Sequence, residues 1–376
     1  MNKSNYSIWF WQRMLTPHMG SLAEALAKQG YIVNFVTNEI LSKERKIQGW
    51  KEAELDNAKF ILLKNISDAI NLAEKVPDAS IHFCEGLRKN GFISKAQKII
   101  KRRNLRHFTM IEKIDERGFK SIAKKFLYRI LFLYWRKSLE GVLAIGNNTK
   151  SWIIEQGMNN AKVYPFAYFL KEPNLNKKST NISKKLQNNK FRFIYVGQLI
   201  DRKKVDLLIT SIASLKLSDV ELLIVGEGPK KQSLKLLADK ELPRKVRWLG
   251  TLPMSKISEI IFKVDCLVLP SSHDGWGAVT SEALMVGTPV ITSDACGSSE
   301  AVKASNVGGV FLSNNQKSLK NNLKRQYNLG KISIKERKKI SEWAKCLGAS
   351  SGAKYLNLII QKNQSKKFNP SPPWKN

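Results

Sequence analysis

The 376-residue sequence predicts an α/β protein built from two parallel-sheet domains in tandem. Three observations lead to this fold class. Short apolar segments alternate with amphipathic ones through the first half, which is typical of a parallel sheet covered by helices on both faces. Residues 171–190 are polar and lysine-rich, as expected of a linker. The same alternation then begins again.

The first domain is predicted to span residues 1–170. A loop over 16–20 leads into a helix over 21–29, in which Leu22, Ala25 and Leu26 mark one face and which Gly30 ends. Strands are expected at 7–11, 31–37, 60–63, 79–84, 107–111 and 141–145.

The second domain is predicted to span residues 191–339, with one helix over 204–215. Its strands are expected at 193–197, 220–226, 246–249, 265–269 and 289–292. Residues 363–376 form a basic tail. From Lys366 onward its prolines, Pro370, Pro372 and Pro373, exclude a regular helix.

The net charge of +33 would draw the protein to an anionic surface, either nucleic acid or a membrane with acidic lipids. Codon bias in an AT-rich genome is an equally good explanation of the excess of lysine. The cations are dispersed along the sequence, and no nucleic-acid-binding motif accompanies them. We therefore expect no nucleic-acid partner.

The four cysteines, Cys84, Cys266, Cys296 and Cys346, are scattered without a CxxC pair, so neither a zinc site nor a redox motif is predicted. The N-terminus lacks the apolar core of a signal peptide. No stretch reaches the roughly 18–20 apolar residues that a membrane span needs. These observations favour a cytoplasmic protein.

The most informative segment contains an apolar strand, a glycine loop, a short helix and another apolar strand. Asp274 lies in the loop, and Glu282 follows eight positions later on the helix. Gly275 and Gly277 let a ligand approach the backbone, and the first N–H groups of the helix can bind a phosphate or sugar oxygen. Two carboxylates can accept hydrogen bonds from hydroxyl groups, so the segment suits a nucleotide-sugar.

This segment resembles the acidic-x7-acidic motif of family 4 retaining glycosyltransferases of the GT-B fold, where the first acid is usually Glu. The sequence around the motif is similar to that of a subgroup of enzymes that build bacterial surface polysaccharides. The resemblance implies two Rossmann-like domains with a cleft between them, and a helix over 340–362 that returns to the first domain. It implies that Glu282 binds the ribose and Asp274 the transferred sugar. It also implies donor contacts from the loop and first helical turn, Gly275, Trp276, Gly277, Ala278 and Val279.

Basic residues follow the first strand of the second domain. Family members have Gly-Arg-Leu there and a lysine shortly after, and both cations hold the donor diphosphate. In this sequence Lys203 matches the lysine, Gln198 replaces the arginine, and Arg202 is predicted to supply the missing charge. Fixed cations stabilise a leaving nucleoside diphosphate without a metal, and we expect no metal cofactor because an Asp-x-Asp motif is absent. The alternative is that Arg202, Lys203 and Lys204 form a solvated basic loop.

The remaining candidates also come from the resemblance. Gly20 matches a glycine that lets a loop pass close to the diphosphate, and His18 is a candidate contact to donor or acceptor. Glu112 stands where many family members have a His that contacts the donor sugar; it could bind a sugar hydroxyl, take a proton from the acceptor, or be a surface acid. Leu249 lies in a segment similar to the one that flanks the donor base.

Residues 120–137 combine apolar and aromatic side chains with lysine and arginine. Such a helix could lie in a membrane interface. The interpretation we favour from sequence is a buried helix whose ends carry snorkelling cations, because a parallel sheet needs a helix before the strand at 141–145.

The predicted function is a retaining glycosyltransferase that moves a sugar from a nucleotide-sugar, a UDP-sugar first of all, to a lipid-linked saccharide. It would work on the inner face of the cell membrane, in surface-polysaccharide synthesis. Three alternatives stay open: a basic nucleic-acid-binding protein, a sugar-nucleotide epimerase of the same fold, and an inactive partner subunit. Gln198 in place of arginine keeps the last two open.

Overall fold

A computed structural model places the chain in two α/β units. It describes residues 6–116, 120–173, 190–365 and 370–375. Unit 1 comprises Met1–Lys43, Lys51–Lys171 and Leu347–Asn376, and unit 2 comprises Glu44–Trp50 and Glu172–Cys346. Most of the predicted linker, residues 174–189, lies outside the described residues.

Unit 1 has a parallel sheet of seven strands. They are β1 Ser7–Trp11, β2 Ile32–Thr37, β3 Lys59–Leu62, β4 Ser80–Glu85, β5 Arg106–Glu112, β6 Gly141–Ile145 and β7 Val163–Phe166, in the order β3-β2-β1-β4-β5-β6-β7. The helices of the first 171 residues are α1 Pro17–Lys28, α2 Lys43–Ile47, α3 Ile66–Lys75, α4 Phe92–Arg102, α5 Lys120–Trp135 and α6 Thr149–Glu155.

The centre of this sheet is a ladder of four phenylalanines. Phe10, Phe35, Phe83 and Phe108 occupy paired register positions on β1, β2, β4 and β5. Their neighbouring ring centroids lie 5.0, 5.4 and 6.1 Å apart, and all four rings are fully buried. Helices on both faces exclude water from these strands, which is why they are apolar on both sides.

Unit 2 has a parallel sheet of six strands. They are β8 Phe191–Val196, β9 Val220–Val225, β10 Val246–Gly250, β11 Cys266–Leu269, β12 Val290–Ser293 and β13 Gly309–Phe311, in the order β10-β9-β8-β11-β12-β13. Its helices are α7 Val205–Ala213, α8 Lys231–Glu241, α9 Met254–Phe262, α10 Ala278–Met285, α11 Ser299–Ala304, α12 Gln316–Asn328 and α13 Ile334–Trp343. The predicted α/β class with two parallel-sheet domains is confirmed.

The predicted single helix over 340–362 is wrong. Helix α13 ends at Trp343 in unit 2, a 3-10 turn covers Ala344–Leu347, and α14 runs over Ala349–Ser365 in unit 1. Within unit 1, α14 packs on α1, and the Tyr31 hydroxyl donates a hydrogen bond to Asn357. The break separates the last helix of one unit from a helix of the other.

Two short segments differ from what the sequence indicates. Glu44–Trp50, which precedes β3 in the chain, belongs to unit 2, where Met254 N donates to Gly49 O at 3.2 Å. The predicted tail begins inside α14, which ends at Ser365, and its last described residues form a 3-10 turn, Pro373–Lys375, whose Trp374 is buried beside Phe169. No helix in the described ranges is both long and apolar enough to span a bilayer.

Candidate functional site

The carboxyl ends of β8 and β11 bring cations and a carboxylate together in unit 2. These strands are neighbours in a parallel sheet, so the loops that follow them leave the same edge. Lys203 Nζ lies 2.5 Å from Asp274 Oδ2. Arg202 lies on the other side of the carboxylate, with Nη1 3.7 Å from Oδ1. Three of the predicted site residues therefore form one cluster.

Backbone contacts fix this cluster. Arg202 Nη1 donates to the carbonyl oxygen of His273 at 2.8 Å, and Ser272 N donates to the carbonyl oxygen of Arg202 at 2.8 Å. Asp274 N donates to Ala295 O at 3.2 Å. The Ser271 hydroxyl donates to Asp274 Oδ2 at 3.2 Å. Sequence reasoning missed Ser271, which lies three residues before the acid and orients it.

Helix α10 begins beside the cluster. Gly277, its N-cap residue, has φ +85°, and a Cβ there would lie 2.7 Å from Leu269 Cδ2, so only glycine fits without strain. No side chain caps this helix end. The N–H groups of Ala278 and Val279 belong to the first turn, where a helix has no internal acceptors and favours anions. The predicted donor contacts of Gly275 to Val279 stay a prediction.

Trp276 has a structural role that the sequence did not indicate. Its indole is buried, and Nε1 donates to the Ser281 hydroxyl at 3.0 Å. Its carbonyl oxygen accepts from Ser298 N at 2.9 Å. The side chain therefore anchors the glycine loop onto α10, and a donor contact from this residue would come from the backbone.

Glu282 lies on α10, eight residues after Asp274. Its side chain keeps only partial exposure, and burial raises its pKa to about 7. A carboxyl group whose pKa is raised by burial is a candidate functional residue. The carboxyl group is suited to exchange its proton for a hydroxyl donor near neutral pH.

Leu249 lies half-buried on the edge strand β10 and lines a cavity of about 320 Å³ within unit 2. The cavity lies between β10 and α9. Its apolar lining comes from Leu223, Leu249, Leu252, Ile260 and Val264, and Arg192 and Arg247 also line it. Lys256, Glu259 and Lys263 complete the lining, so charged groups of both signs accompany the apolar side chains.

A second cluster lies at the carboxyl edge of the unit 1 sheet. The His18 and Tyr168 rings are in contact, with centroids 4.1 Å apart and planes tilted by 39°, and the Tyr168 hydroxyl donates to Glu112 Oε1 at 2.5 Å. Arg13 pairs with Glu85 at 2.5 Å in the same group of charges. Burial lowers the pKa of Arg13, but the carboxylates around it, Glu85 first, outweigh burial and raise this pKa above its usual value. Burial and then Glu112 raise the pKa of Tyr168 well above its usual value. His18 and Glu112 are thus brought together by Tyr168, which sequence reasoning did not identify.

Gly20 does not lie in a loop. Helix α1 begins at Pro17, because proline is favoured in the first turn, where its missing N–H leaves no acceptor unpaired. His18 and Gly20 are therefore in that turn. A Cβ on Gly20 would collide with the side chain of Ala53, so close packing alone requires this glycine. Its predicted donor contact stays a prediction.

No group of three His, Cys, Asp or Glu side chains suited to a metal ion is present among the described residues. The four cysteines are free thiols. Metal independence itself stays a prediction.

Comparison with known proteins agrees with this architecture. Residues 176–346 match the family model described as glycosyl transferases group 1. Glycogen synthase of Mycobacterium tuberculosis is 34% identical over 112 residues, 29% of this chain and 27% of that protein. The phosphatidylinositol N-acetylglucosaminyltransferase GPI3 subunit of Saccharomyces cerevisiae is 22% identical over 191 residues, 49% of this chain and 42% of that protein. The chain thus spans less than half the length of these curated relatives.

Two solved structures share the fold over nearly the whole chain. Anabaena HepE in complex with UDP and glucose has a TM-score of 0.68 at 14% identity, and covers 95% of this chain and 99% of its own. The lipopolysaccharide outer core galactosyltransferase WaaB, in its apo form, has a TM-score of 0.69 at 17% identity, with coverage of 95% and 99%.

Two parallel-sheet units of this kind are the architecture of the GT-B fold, which this chain shares with these solved structures. Its second unit carries the glycosyl transferases group 1 segment, and the Lys203–Asp274 pair and Glu282 all lie within the matched residues.

Proposed function

We propose that this chain is a retaining family 4 glycosyltransferase. It transfers a sugar from a nucleotide-sugar, a UDP-sugar first of all, to a hydroxyl group of a lipid-linked saccharide in bacterial surface-polysaccharide synthesis. One observation carries the proposal: Lys203 and Arg202 flank the Asp274 carboxylate beside the uncapped start of α10.

Each part of that cluster has a task in the proposed reaction. Lys203, Arg202 and the first N–H groups of α10 bind the donor diphosphate and stabilise the charge that develops as the sugar bond breaks. Asp274 accepts hydrogen bonds from the hydroxyls of the transferred sugar. Lys203 then has two anionic neighbours, the Asp274 carboxylate and the donor phosphate, and it fixes their positions relative to each other.

The nucleoside part of the donor occupies two further features of unit 2. Glu282 accepts hydrogen bonds from the ribose hydroxyls, which favours its ionised form when the donor is bound. Leu249 flanks the base of the donor. No metal takes part, because fixed cations supply the charge that a divalent ion would otherwise provide.

The acceptor is handled by unit 1 in this proposal. Glu112, held by the Tyr168 hydroxyl, takes the proton of the attacking hydroxyl or binds a sugar hydroxyl, and His18 contacts donor or acceptor. The configuration of the transferred sugar is retained, with attack on the face from which the diphosphate leaves. The enzyme works at the cytoplasmic face of the cell membrane.

The solved structures support the choice of donor. HepE has been crystallised with UDP, with UDP and glucose, and with UDP-glucose, and it shares the fold at 14% identity or less. WaaB supports the acceptor class in the same limited way, as a lipopolysaccharide galactosyltransferase of the same fold. These likenesses motivate the panel of substrates below.

The test is a nucleotide-release assay with UDP- and GDP-sugars, each with and without lipid-linked saccharides from bacterial membranes. We expect release of one nucleoside diphosphate that depends on the acceptor, with an α-linked product from an α-linked donor. Conversion of free donor without an acceptor would instead make the protein an epimerase. Binding of nucleic acid with no binding of any sugar nucleotide would overturn the proposal.

A further inference from the structure

Helix α5 carries apolar side chains on two opposite faces. Phe132 and Trp135 face the unit 1 core, where Phe132 packs against Trp152 with ring centroids 6.2 Å apart. Ile122, Phe126 and Ile130 lie on the other face at a spacing of four residues, which places them in one stripe along the helix. The sequence interpretation of a buried helix therefore describes only half of it.

The outer face is strongly exposed. The exposed fractions are 73% for Ile122, 67% for Phe126, 48% for Ile130 and 55% for Tyr134. Leu133 lies within this face and Leu127 extends it at one margin. At 3.6 residues per turn these six side chains cover about 140° of the helix circumference. An apolar patch of this size on a charged protein marks an interaction site.

Within α5 and its immediate flanks in the sequence, the charged residues have one sign. Residues 117–139 contain no Asp or Glu and seven Lys or Arg. Lys125 is neutralised by Glu116 at 2.8 Å. Arg129, Arg136 and Lys137 are exposed and make no ion pair with any residue that the structure describes. Arg129 and Arg136 lie along the same border of the apolar stripe.

We propose that the outer face of α5 docks onto an anionic lipid bilayer. The helix would lie in the plane of the interface, with Phe126 and Ile130 inserted among the acyl chains and Arg129 and Arg136 on lipid phosphates. A second copy of this chain is a poor occupant, since it brings the same unpaired cations and a net charge of +33 to the contact. With 16 residues, α5 is too short to span.

This inference deepens the proposed function and rests on it for one point, the lipid-linked acceptor. A docking face on unit 1 would hold an acceptor-binding unit at the surface that contains the acceptor. Bilayer binding itself is independent of catalysis and is measured without donor or acceptor, so the two proposals fail separately.

The experiment measures partition of the full chain into vesicles at physiological salt. One set is phosphatidylcholine alone, and the other contains about 30% phosphatidylglycerol, which gives a surface potential like that of an acidic leaflet. The test variant is Phe126→Glu with Ile130→Glu. The matched control is Leu236→Glu with Leu329→Glu, two side chains of unit 2 with exposed fractions of 68% and 73%.

Both double variants change the net charge by the same amount, so their difference isolates the α5 face. We expect the wild type to prefer the anionic vesicles, and partition to fall by at least about tenfold in the α5 variant and by less than about twofold in the control. The double variant Arg129→Gln with Arg136→Gln should bind anionic vesicles more weakly and leave binding to phosphatidylcholine vesicles unchanged. Circular dichroism shows whether each variant is folded.

Equal losses in the two double variants, or no binding of the folded wild type, would overturn the docking face. Light scattering tests whether a second copy of the chain occupies this face instead. If the wild type is a dimer, the α5 variant alone is a monomer, and both bind vesicles equally, then this face is a dimer contact. Vesicle binding without any sugar transfer would leave the docking face intact and remove the proposed enzyme activity.

Discussion

Lys203 and Asp274 form an ion pair although 71 residues separate them in the chain. The reason is topological: β8 and β11 are adjacent parallel strands, and each residue follows the carboxyl end of its strand. Their side chains are only 12% and 15% exposed, so water screens the pair weakly. A phosphate that binds there meets an oriented cation.

The first prediction concerns that cation. Lys203→Ala should lower kcat/KM by about 10²-fold, the size of an electrostatic stabiliser of developing charge. Asp274→Asn should cost a similar factor, because it removes the acceptor of sugar hydroxyls and one partner of Lys203. Lys204→Asn is the control, since it removes the adjacent charge and asparagine tolerates the left-handed backbone at that position. Steady-state kinetics with the identified donor measures all three.

Equal losses for Lys203→Ala and Lys204→Asn would mean that the basic stretch acts as a diffuse field. In that case the solvated-loop alternative is correct and the diphosphate binds elsewhere.

The sequence predicted this cluster because its parts are local patterns with a known geometry. A strand followed by glycines, an acid and a helix fixes Asp274 at the sheet edge, and the next acid follows on α10. The contact with Lys203 follows only from strand order, which one sequence does not determine. The hydrogen bond from Ser271 to Asp274 and the one from Trp276 to Ser281 depend on side-chain packing, so no local sequence pattern predicts them.

The second prediction uses Glu282, whose pKa burial raises to about 7. If ribose hydroxyls donate to this carboxylate as proposed, the affinity for the donor should rise as the pH increases through 7. Glu282→Gln should weaken donor binding at pH 8 and remove this pH dependence. Isothermal titration with the intact nucleotide-sugar between pH 6 and 8, without acceptor, measures the effect, because its diphosphate diester does not titrate in this range. A donor affinity that is flat with pH in the wild type would contradict the assignment.

The same residue gives a stability prediction of opposite sign. A carboxyl group with a raised folded-state pKa stabilises the fold below its unfolded pKa of 4.5, and this contribution is lost as the pH rises through 7. Glu282→Gln should therefore raise the free energy of unfolding at pH 8, by up to about 3 kcal/mol, and change it little at pH 4.5. Urea titrations at the two pH values give the comparison.

The third prediction concerns two buried histidines on β4 and β5. Burial lowers the pKa of both His82 and His107 to about 3. Trp11 Nε1 donates to His82 Nδ1 at 3.0 Å, so a proton on Nδ1 would also break that hydrogen bond. Both side chains stabilise the fold while neutral, above the unfolded pKa of 6.5. This stability is lost as the pH falls toward 3.

Each of these histidines should cost about 1.4 kcal/mol for each pH unit below 6.5. His82→Gln keeps a hydrogen-bond acceptor for Trp11 and does not titrate. Its unfolding free energy should therefore fall less steeply than that of the wild type between pH 6.5 and 5. Parallel slopes for the two proteins would show that His82 is not neutral in the folded state.

Unit 1 shows where sequence reasoning reached its limit. The sequence predicts a loop at His18 and Gly20 because the helical periodicity becomes visible only at Leu22, yet the helix begins at Pro17. For α5 the sequence favours burial over a membrane interface, since Phe132 on the core side and Phe126 on the solvent side are both aromatic. Periodicity alone does not decide which of two apolar stripes is buried.

The fourth prediction tests metal independence. With Arg202 and Lys203 at the diphosphate, an excess of EDTA should leave the initial rate unchanged within about twofold. Activity that EDTA abolishes and Mg²⁺ restores would show that these cations do not suffice.

The last prediction separates catalysis from support in unit 1. The Tyr168 hydroxyl donates to Glu112 Oε1, so Tyr168→Phe keeps the carboxylate and removes only one of its hydrogen bonds. If Glu112 takes the proton of the acceptor, Glu112→Gln should lower kcat by about 10²-fold or more with little change in KM for the donor. Tyr168→Phe should cost less than about tenfold, because the loss of one hydrogen bond misplaces the base without removing it. Initial rates at saturating donor, with acceptor concentration varied, give kcat and both KM values. A rise in the acceptor KM alone, equal in the two variants, would instead assign Glu112 to binding a sugar hydroxyl.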